Sequence, residues 1–239
     1  MRDSRASLEY FDYLIQYKES TIKGQEFIIR SRDEIFNEEF RNCVVGNKID
    51  LLVAYYSHGL ELEKLKEKYL ELIPDFSSYW TGAAYNMIIS MLSFAVLFDI
   101  DQKNFSMLKD AAQRMKIGRR TKDWLVNFYL HSRFPEVHYE DDPFVFPKGY
   151  QDYRDIAASK SPKEELYRFA KSKWYLKQRG EAWWGSHKEA TKRMPVYFGY
   201  WCFEVAAVAK ILGIDDTDFQ NIVYYPYDLA HFSEGEQKC

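Results

Sequence analysis

The sequence has few cysteines, only Cys43, Cys202 and Cys239 among 239 residues. An odd number of widely separated cysteines supplies neither a disulfide framework nor the closely spaced thiolates of a structural zinc site. This usage is typical of a reducing compartment, and we expect a cytoplasmic protein. Cys202 lies in an apolar stretch, which predicts a small buried residue rather than a reactive thiol.

The chain also lacks an apolar segment long enough to cross a bilayer. The longest candidate, Met87–Phe98, has twelve residues, whereas a transmembrane helix needs about 20. The N-terminus contains acids and no apolar signal-peptide region. The formal net charge of −3 argues weakly against a dedicated nucleic-acid binder, because phosphate contacts require local positive charge. We therefore expect neither a membrane nor a direct nucleic-acid partner.

Recognisable catalytic motifs are absent as well. The five histidines form no His-Glu-x-x-His pattern and no pair four residues apart, so zinc hydrolysis has no support. The sequence has no phosphate-binding loop and no Gly-x-Ser-x-Gly motif. We expect no catalytic residue, no metal and no cofactor. An enzyme that uses clustered carboxylates with a divalent cation stays open as an alternative.

The chain does contain helical periodicity and many aromatic residues, 18% of the total. Apolar residues recur every three or four positions in most segments, and nothing alternates with a period of two for long. The best strand candidate is the short run 143–146. Three prolines interrupt 132–160. The sequence therefore predicts an all-α, multi-helix fold with two packed helical lobes, residues 1–132 and 161–239, joined by an irregular Pro-rich connection at 133–160.

Prolines and capping residues predict where individual helices begin and end. Pro74 is expected to end one helix, and Thr121 is expected to cap another. Gly213 is expected to end the last strong helix. The predicted helices include 25–40, 60–73, 78–98, 121–131 and 195–212.

Charge is unevenly distributed along the sequence. Residues 103–122 hold seven Lys or Arg and one acid, whereas 204–236 hold seven acids and one base. Such segregation indicates either faces that pair within the fold or an acidic surface aimed at a basic partner. Two acidic clusters stand out, 136–142 and 215–218. Carboxylates could bind Mg²⁺ or Ca²⁺ there, but a solvated patch and a helix cap are the simpler interpretations.

Several patterns resemble one known family. In the C-terminal part they are Trp184, His187-Lys188, YFGYW at 197–201, FEVAA at 203–207, KILG at 210–213, Asp215-Asp216 and YYPYD at 224–228. In the N-terminal part the looser match is LLVAYYSHG at 51–59, followed by a helix with Leu62, Leu65 and Tyr69. Both parts resemble the PoNi family of bacterial immunity proteins, which act against polymorphic-toxin DNases of the PoNe type.

The resemblance implies an all-α protein made in the cytoplasm of the toxin-bearing bacterium. Such a protein binds and silences a cognate DNase, often one delivered by a contact-dependent system such as type VI secretion, and catalyses nothing itself. We expect the pattern to specify the fold. A buried Glu204 would need a partner, which Lys188, His187 or a tyrosine hydroxyl could supply. The scaffold residues are Trp184, His187, Lys188, Gly199, Tyr200, Trp201, Glu204, Pro226, Tyr227 and Asp228.

Toxin recognition is then expected in acidic and aromatic residues. A DNase presents Lys and Arg to phosphates, so carboxylates flanked by aromatic rings suit its groove. The candidate partner-binding residues are Glu136, Tyr139, Glu140, Asp141, Asp142, Asp215, Asp216, Asp218, Tyr224 and Tyr225. The 136–142 loop is the stronger candidate because it lies outside the family pattern. Recognition through N-terminal helix faces stays open, as does an interaction protein with another basic partner.

Overall fold

The computed structural model describes residues 1–31 and 37–234. Within these ranges the backbone is helical and has no β-strand, only two isolated antiparallel bridges, 117 with 120 and 191 with 194. The all-α prediction is confirmed. Positions 32–36 of the predicted helix 25–40 lie outside the described residues.

The helices run as follows: α1 (Leu8–Ser31), α2 (Asn37–His58), α3 (Leu62–Tyr79), α4 (Tyr85–Leu97), α5 (Gln102–Ala112), α6 (Trp124–His131), α7 (Pro147–Ala157), α8 (Pro162–Arg168), α9 (Trp174–Lys177), α10 (Phe203–Ile211) and α11 (Tyr227–Ala230). A π-helical segment, Phe169–Lys173, links α8 to α9, and short 3₁₀ turns cover Gln178–Gly180, Ser186–Glu189 and Thr217–Asn221. No helix in the described ranges combines the length and apolar character needed to cross a membrane.

The described chain forms two compact units, and neither is continuous in sequence. The first unit combines Met1–Thr81 with Ala182–Tyr200, and the second combines Gly82–Glu181 with the residues from Trp201 onward. The segment 133–160, expected to connect two lobes, lies within the second unit and contains α7. The division into domains at 1–132 and 161–239 stays a prediction.

Polar contacts hold α1 and α3 against α2 in the first unit. Buried Lys18 of α1 forms an ion pair with Asp50 of α2, at an Nζ–Oδ2 distance of 2.7 Å. Lys48 of α2 reaches Glu26 of α1 at 2.6 Å and Asp75 of α3 at 2.5 Å. A buried amine is tolerated when a carboxylate compensates for its lost hydration. These pairs therefore help to set the register of the three helices.

The distant segment 182–200 joins the first unit through N-terminal residues. Asp3 is only 1% exposed and accepts a hydrogen bond from the hydroxyl of Tyr197. The Tyr10 hydroxyl donates to the carbonyl of Tyr197 at 2.9 Å and accepts from its N–H at 2.9 Å. Because a buried carboxylate is stable only when it is hydrogen-bonded, Asp3 and Tyr10 fix this segment in place.

The predicted helix end at Pro74 is wrong. Helix α3 continues through Pro74 to Tyr79, although proline removes one backbone hydrogen bond and costs about 3 kcal/mol in a helix interior. Phe76 and Trp80 lie beyond the proline, are buried, and stack with ring centroids 5.3 Å apart. Their burial offsets the cost. The chain instead breaks near Gly82, which has φ +83°.

Helix α4 forms the centre of the second unit. Ten of its thirteen residues are buried, so the helix is apolar on nearly every side. It begins at Tyr85 rather than at the predicted residue 78, because residues up to Tyr79 belong to α3. Phe94 of α4 lies 4.5 Å from Phe203 of α10, measured between ring centroids. Lys210 of α10 donates to the carbonyl of Leu97 at 2.8 Å, close to the end of α4. The predicted helix 195–212 is shorter than expected, because residues up to Tyr200 belong to the first unit.

Candidate functional site

The acidic loop, residues 136–142, lies between α6 and α7 and is anchored by Tyr139. The Tyr139 ring packs against Trp124, Phe128 and His131 with centroid distances of 5.5, 5.4 and 5.0 Å. Burial raises the pKa of Tyr139. Tyr139 therefore packs on the helices and orders the loop, and it is only partly exposed to a partner.

The four carboxylates of the loop differ in whether they bind a hydrogen-bond donor or a lysine of the same chain. Asp142 accepts a hydrogen bond from the side-chain amide of Asn127 at 2.6 Å. Glu136 pairs with Lys109 of α5 at 2.6 Å, and this contact lowers its pKa. Glu140 and Asp141 are exposed at the turn. Backbone N–H groups, its own first and that of Tyr139 next, lower the pKa of Glu140, so this residue is negatively charged at neutral pH.

Buried Asp123 supports the backbone that follows the loop. One of its oxygens accepts from the N–H groups of Leu125 and Val126 at 2.9 and 3.1 Å and from the Tyr85 hydroxyl at 2.9 Å. The other accepts from the N–H of Val145 at 2.7 Å. Burial raises the pKa of Asp123 against the opposing effect of these donors. Asp123, rather than the predicted Thr121, therefore caps α6. An Asp directly before the apolar run WLV was the signal that could have revealed this cap.

The second acidic cluster, residues 215–218, is partly neutralised. Lys163 lies 3.1 Å from a carboxylate oxygen of Asp215 and 3.1 Å from one of Asp218. Asp215 also accepts from the hydroxyl and N–H of Thr217, at 2.8 and 3.2 Å. Hydrogen bonds from Thr217, followed by Lys163, lower the pKa of Asp215 to about 2. Asp215 thus binds Thr217, the first residue of a short 3₁₀ turn, whereas the side chain of the N-cap residue, Asp216, makes no capping hydrogen bond.

Asp216 and Tyr225 face inward. The side chain of Asp216 is 13% exposed, accepts from the Tyr225 hydroxyl and lies 3.0 Å from His231 Nε2. Tyr225 is buried, and burial raises the pKa of its hydroxyl. Tyr224 stacks on Tyr175 with a centroid distance of 5.0 Å. Among the aromatic candidates of this cluster, Tyr224 keeps partial exposure and Tyr225 does not.

Several scaffold residues order the 182–200 segment of the first unit. The N–H of His187 donates to the Tyr200 hydroxyl at 3.1 Å, and its Nδ1 lies 3.0 Å from the same oxygen. Burial, and then the neighbouring Lys188, lower the pKa of His187. Gly199 adopts φ +116°, which glycine tolerates best. Trp184 is half-buried and Lys188 is exposed.

The remaining scaffold residues lie in the second unit. Glu204 accepts a hydrogen bond from the indole N–H of Trp174 at 2.6 Å. Trp174 was not among the expected partners, and of those only a tyrosine, Tyr153, acts on this carboxylate among the residues that the structure describes. Burial raises the pKa of Glu204, while the indole and the nearby Tyr153 oppose that shift.

The end of the family pattern closes onto α10 and α11. The N–H of Cys202 donates to the carbonyl of Tyr224 at 2.9 Å, and Pro226 is buried. Tyr227 packs on His231 at 4.1 Å between ring centroids, and Asp228 accepts from the N–H of Leu229 at 2.9 Å. Trp201 is half-buried. These contacts tie the tail to the helices.

No group of three or more His, Cys, Asp or Glu side chains among the described residues is arranged to hold a metal ion. Most carboxylates of both acidic clusters bind backbone N–H groups, amides, hydroxyls or lysines.

Comparison with known protein families decides the assignment. Residues 2–110 match the family described as PoNe immunity protein (PoNi), N-terminal, and residues 121–229 match PoNe immunity proteins (PoNi), C-terminal. The chain belongs to the PoNi family. It is therefore an immunity protein of the kind that neutralises a PoNe nuclease toxin. No curated protein and no solved structure gives a significant match.

The C-terminal match includes the acidic loop 136–142, so the expectation that this loop lies outside the family pattern is wrong. The PoNi matches also do not follow the compact units of the structure. Residues 182–200 fall within the C-terminal match but pack in the first unit, with most of the N-terminal match. Tyr197 and Tyr200 lie in this segment, and Tyr197 binds Asp3. Part of the C-terminal PoNi pattern thus serves to complete the unit built by the N-terminal one.

Proposed function

We propose that this PoNi protein binds its cognate PoNe DNase directly and blocks the groove in which the toxin holds DNA, without catalysis of its own. The observation that carries the proposal is the pair of family matches, which together span nearly the whole chain. The acidic loop is the contact surface that the geometry favours. We further propose that the protein acts in the cytoplasm, against a toxin delivered by type VI or a related secretion system.

Electrostatics favours the tip of the acidic loop. A DNase groove must be positive, since it neutralises phosphates with Lys and Arg. Glu140 and Asp141 are exposed, and neither forms an ion pair with any residue that the structure describes. Asp215 and Asp218 are exposed too, but they share Lys163. The loop tip therefore offers the stronger negative field to a basic partner.

The order of the loop also favours binding. Tyr139, Asn127 and Lys109 hold its flanks by ring packing, a hydrogen bond and an ion pair. A recognition loop that is already ordered loses less conformational entropy when it binds. We therefore assign contact with the toxin to Glu140 and Asp141, and support of the loop to Tyr139 and Asp142.

Co-expression in a bacterium tests this function. A candidate cognate toxin of the PoNe type is expressed alone, with the wild-type chain, or with the Glu140→Lys/Asp141→Lys variant. Wild type should restore growth, and the charge-reversed variant should restore it less. A matched control is Asp215→Lys/Asp218→Lys, which reverses two exposed charges elsewhere.

The outcomes separate the function from the surface. If wild type fails to restore growth, this toxin is not the partner and the proposed function fails. If wild type and both variants restore growth equally, the function stands and the loop is not the contact surface. Calorimetric titration with Mg²⁺ or Mn²⁺ tests the metal-dependent alternative, since binding heat at the acidic clusters would support it.

A further inference from the structure

A second exposed feature of the second unit is the ring of Phe146. This ring is 49% exposed, and its inner edge meets Tyr85 at a centroid distance of 5.3 Å. The carbonyl of Phe146 accepts from the N–H groups of Gly149 and Tyr150, both at 3.2 Å, as α7 begins. The backbone position of this ring is therefore fixed although half of its surface faces solvent.

The backbone of the residues before Phe146 is held by Asp123 and Arg120. Asp123 binds the N–H of Val145 at 2.7 Å, and the guanidinium of Arg120 donates to the carbonyls of Phe144 and Val145. Residues 117–123 and 143–146 thus run beside each other. An isolated exposed phenylalanine is ordinary, but one with so rigid a backbone loses little entropy on binding.

Basic residues lie in the turn that contacts this segment and shortly after Phe146 in the chain. Ile117 and Arg120 exchange backbone hydrogen bonds of 3.0 and 3.1 Å across a tight turn that contains Gly118 at φ +61°. Lys116, Arg119, Lys122 and Lys148 are exposed, and none of them forms an ion pair with a residue that the structure describes. The contact of Arg120 with Phe144 and Val145 brings the turn next to the segment that carries Phe146.

We propose that Phe146 and these four basic residues, named here the basic anchor surface, form a second contact for the cognate toxin. The surface fits an apolar hollow bordered by carboxylates on the toxin. The proposal rests on the proposed function. The proposal extends that function, because it assigns a second contact with the toxin to positively charged residues, whereas the acidic loop is negatively charged.

A protein partner fits this surface better than a nucleic acid. Glu140 and Asp141 lie on the acidic loop that leads directly into Pro143–Phe146. A polyanion bound at the basic turn would meet these carboxylates and be repelled. A protein can present acidic and basic patches side by side, and mixed charges of this kind also fix the orientation of a complex.

Binding measurements with the full chain and the purified toxin test the basic anchor surface. Phe146→Ser is compared with Leu176→Ser, because Leu176 is 50% exposed and lies on α9. An aromatic anchor of an interface typically contributes enough that its loss weakens affinity at least about 30-fold. We expect that loss for Phe146→Ser and less than about threefold for Leu176→Ser, with unchanged melting temperatures.

Phe146 also contacts Tyr85, so Phe146→Ser could disturb the fold. A second variant that reverses two exposed charges of the same surface therefore tests the contact independently. Arg119→Glu/Lys122→Glu should weaken toxin binding at low salt and less so at high salt. Lys171→Glu/Lys173→Glu, on the exposed side of the π-helical segment, is its matched control and should keep wild-type affinity.

Each outcome decides the question. Equal affinity of Phe146→Ser and Leu176→Ser, or of the two charge-reversed pairs, overturns the basic anchor surface but leaves the function intact. A third outcome is that the wild type binds a labelled DNA duplex, that Arg119→Glu/Lys122→Glu abolishes this binding, and that toxin affinity is unchanged. This outcome would overturn the toxin contact and assign the basic anchor surface to nucleic acid. Wild type that does not bind the toxin overturns the proposed function as well, which the growth assay detects separately.

Discussion

Replacement of Asp123 by alanine should be far more damaging than loss of an ordinary helix cap. The α6 cap itself contributes about 1 kcal/mol. The N–H of Val145 and the hydroxyl of Tyr85 would also lose their acceptor inside the protein, at about 1–3 kcal/mol each. Together these terms predict that Asp123→Ala lowers the free energy of unfolding by about 3–7 kcal/mol. For a protein of this size that lowers the melting temperature by at least about 6 °C.

Asp101 supplies the matched control for this prediction. It caps α5 with a 3.0 Å bond to the N–H of Asn104, but it is exposed and solvent can replace that bond. Asp101→Ala should cost about 1 kcal/mol. Urea unfolding of both variants measures the difference. Equal destabilisation by the two substitutions would refute the view that Asp123 holds the segment 143–146 as well as α6.

Two further comparisons test individual positions. Glu204→Leu should destabilise the fold by about 1–3 kcal/mol at pH 7, because the Trp174 indole loses its acceptor, whereas Glu204→Gln keeps an acceptor. Burial raises the pKa of Glu204 in the folded state. The free energy of unfolding of the wild type should therefore fall as the pH rises from the pKa of the unfolded chain toward that of the folded one, and Glu204→Gln should remove this pH dependence. Denaturation from pH 4 to 8 that shows the same pH dependence for both proteins would contradict this. Gly82→Ala should cost more than Gly118→Ala: both have positive φ, but a Cβ at Gly82 would lie 2.1 Å from the carbonyl oxygen of Arg114, whereas none lies within 4 Å at Gly118. Similar melting temperatures for the two glycine variants would show that the backbone relaxes.

Local features of the fold could be predicted from the sequence. The apolar character of α4 and the burial of Cys202 depend on neighbouring residues, so hydrophobic periodicity and residue type were enough to predict them. Pro74 misled the prediction because a local rule was overridden by the burial of Phe76 and Trp80.

Contacts between distant residues could not be predicted in the same way. Asp3 and Tyr197 are 194 residues apart, and Glu204 and Trp174 are 30 apart. No periodicity connects such pairs, so the discontinuous first unit and the indole partner of Glu204 emerged only from the structure. At the acidic loop, residue type revealed the charge. It did not reveal that Tyr139 faces inward, since that depends on the rings of α6.

The rate at which the toxin associates with this protein, measured at low and high salt, tests the central claim most directly. Glu140→Ser/Asp141→Ser removes the two exposed charges of the acidic loop, and Asp215→Ser/Asp218→Ser removes two exposed charges that Lys163 already balances. The account predicts that the loop variant associates more slowly at low salt and loses much of the salt dependence, with unchanged stability, while the control resembles wild type. Association rates of the loop variant equal to wild type at both salt concentrations would contradict it.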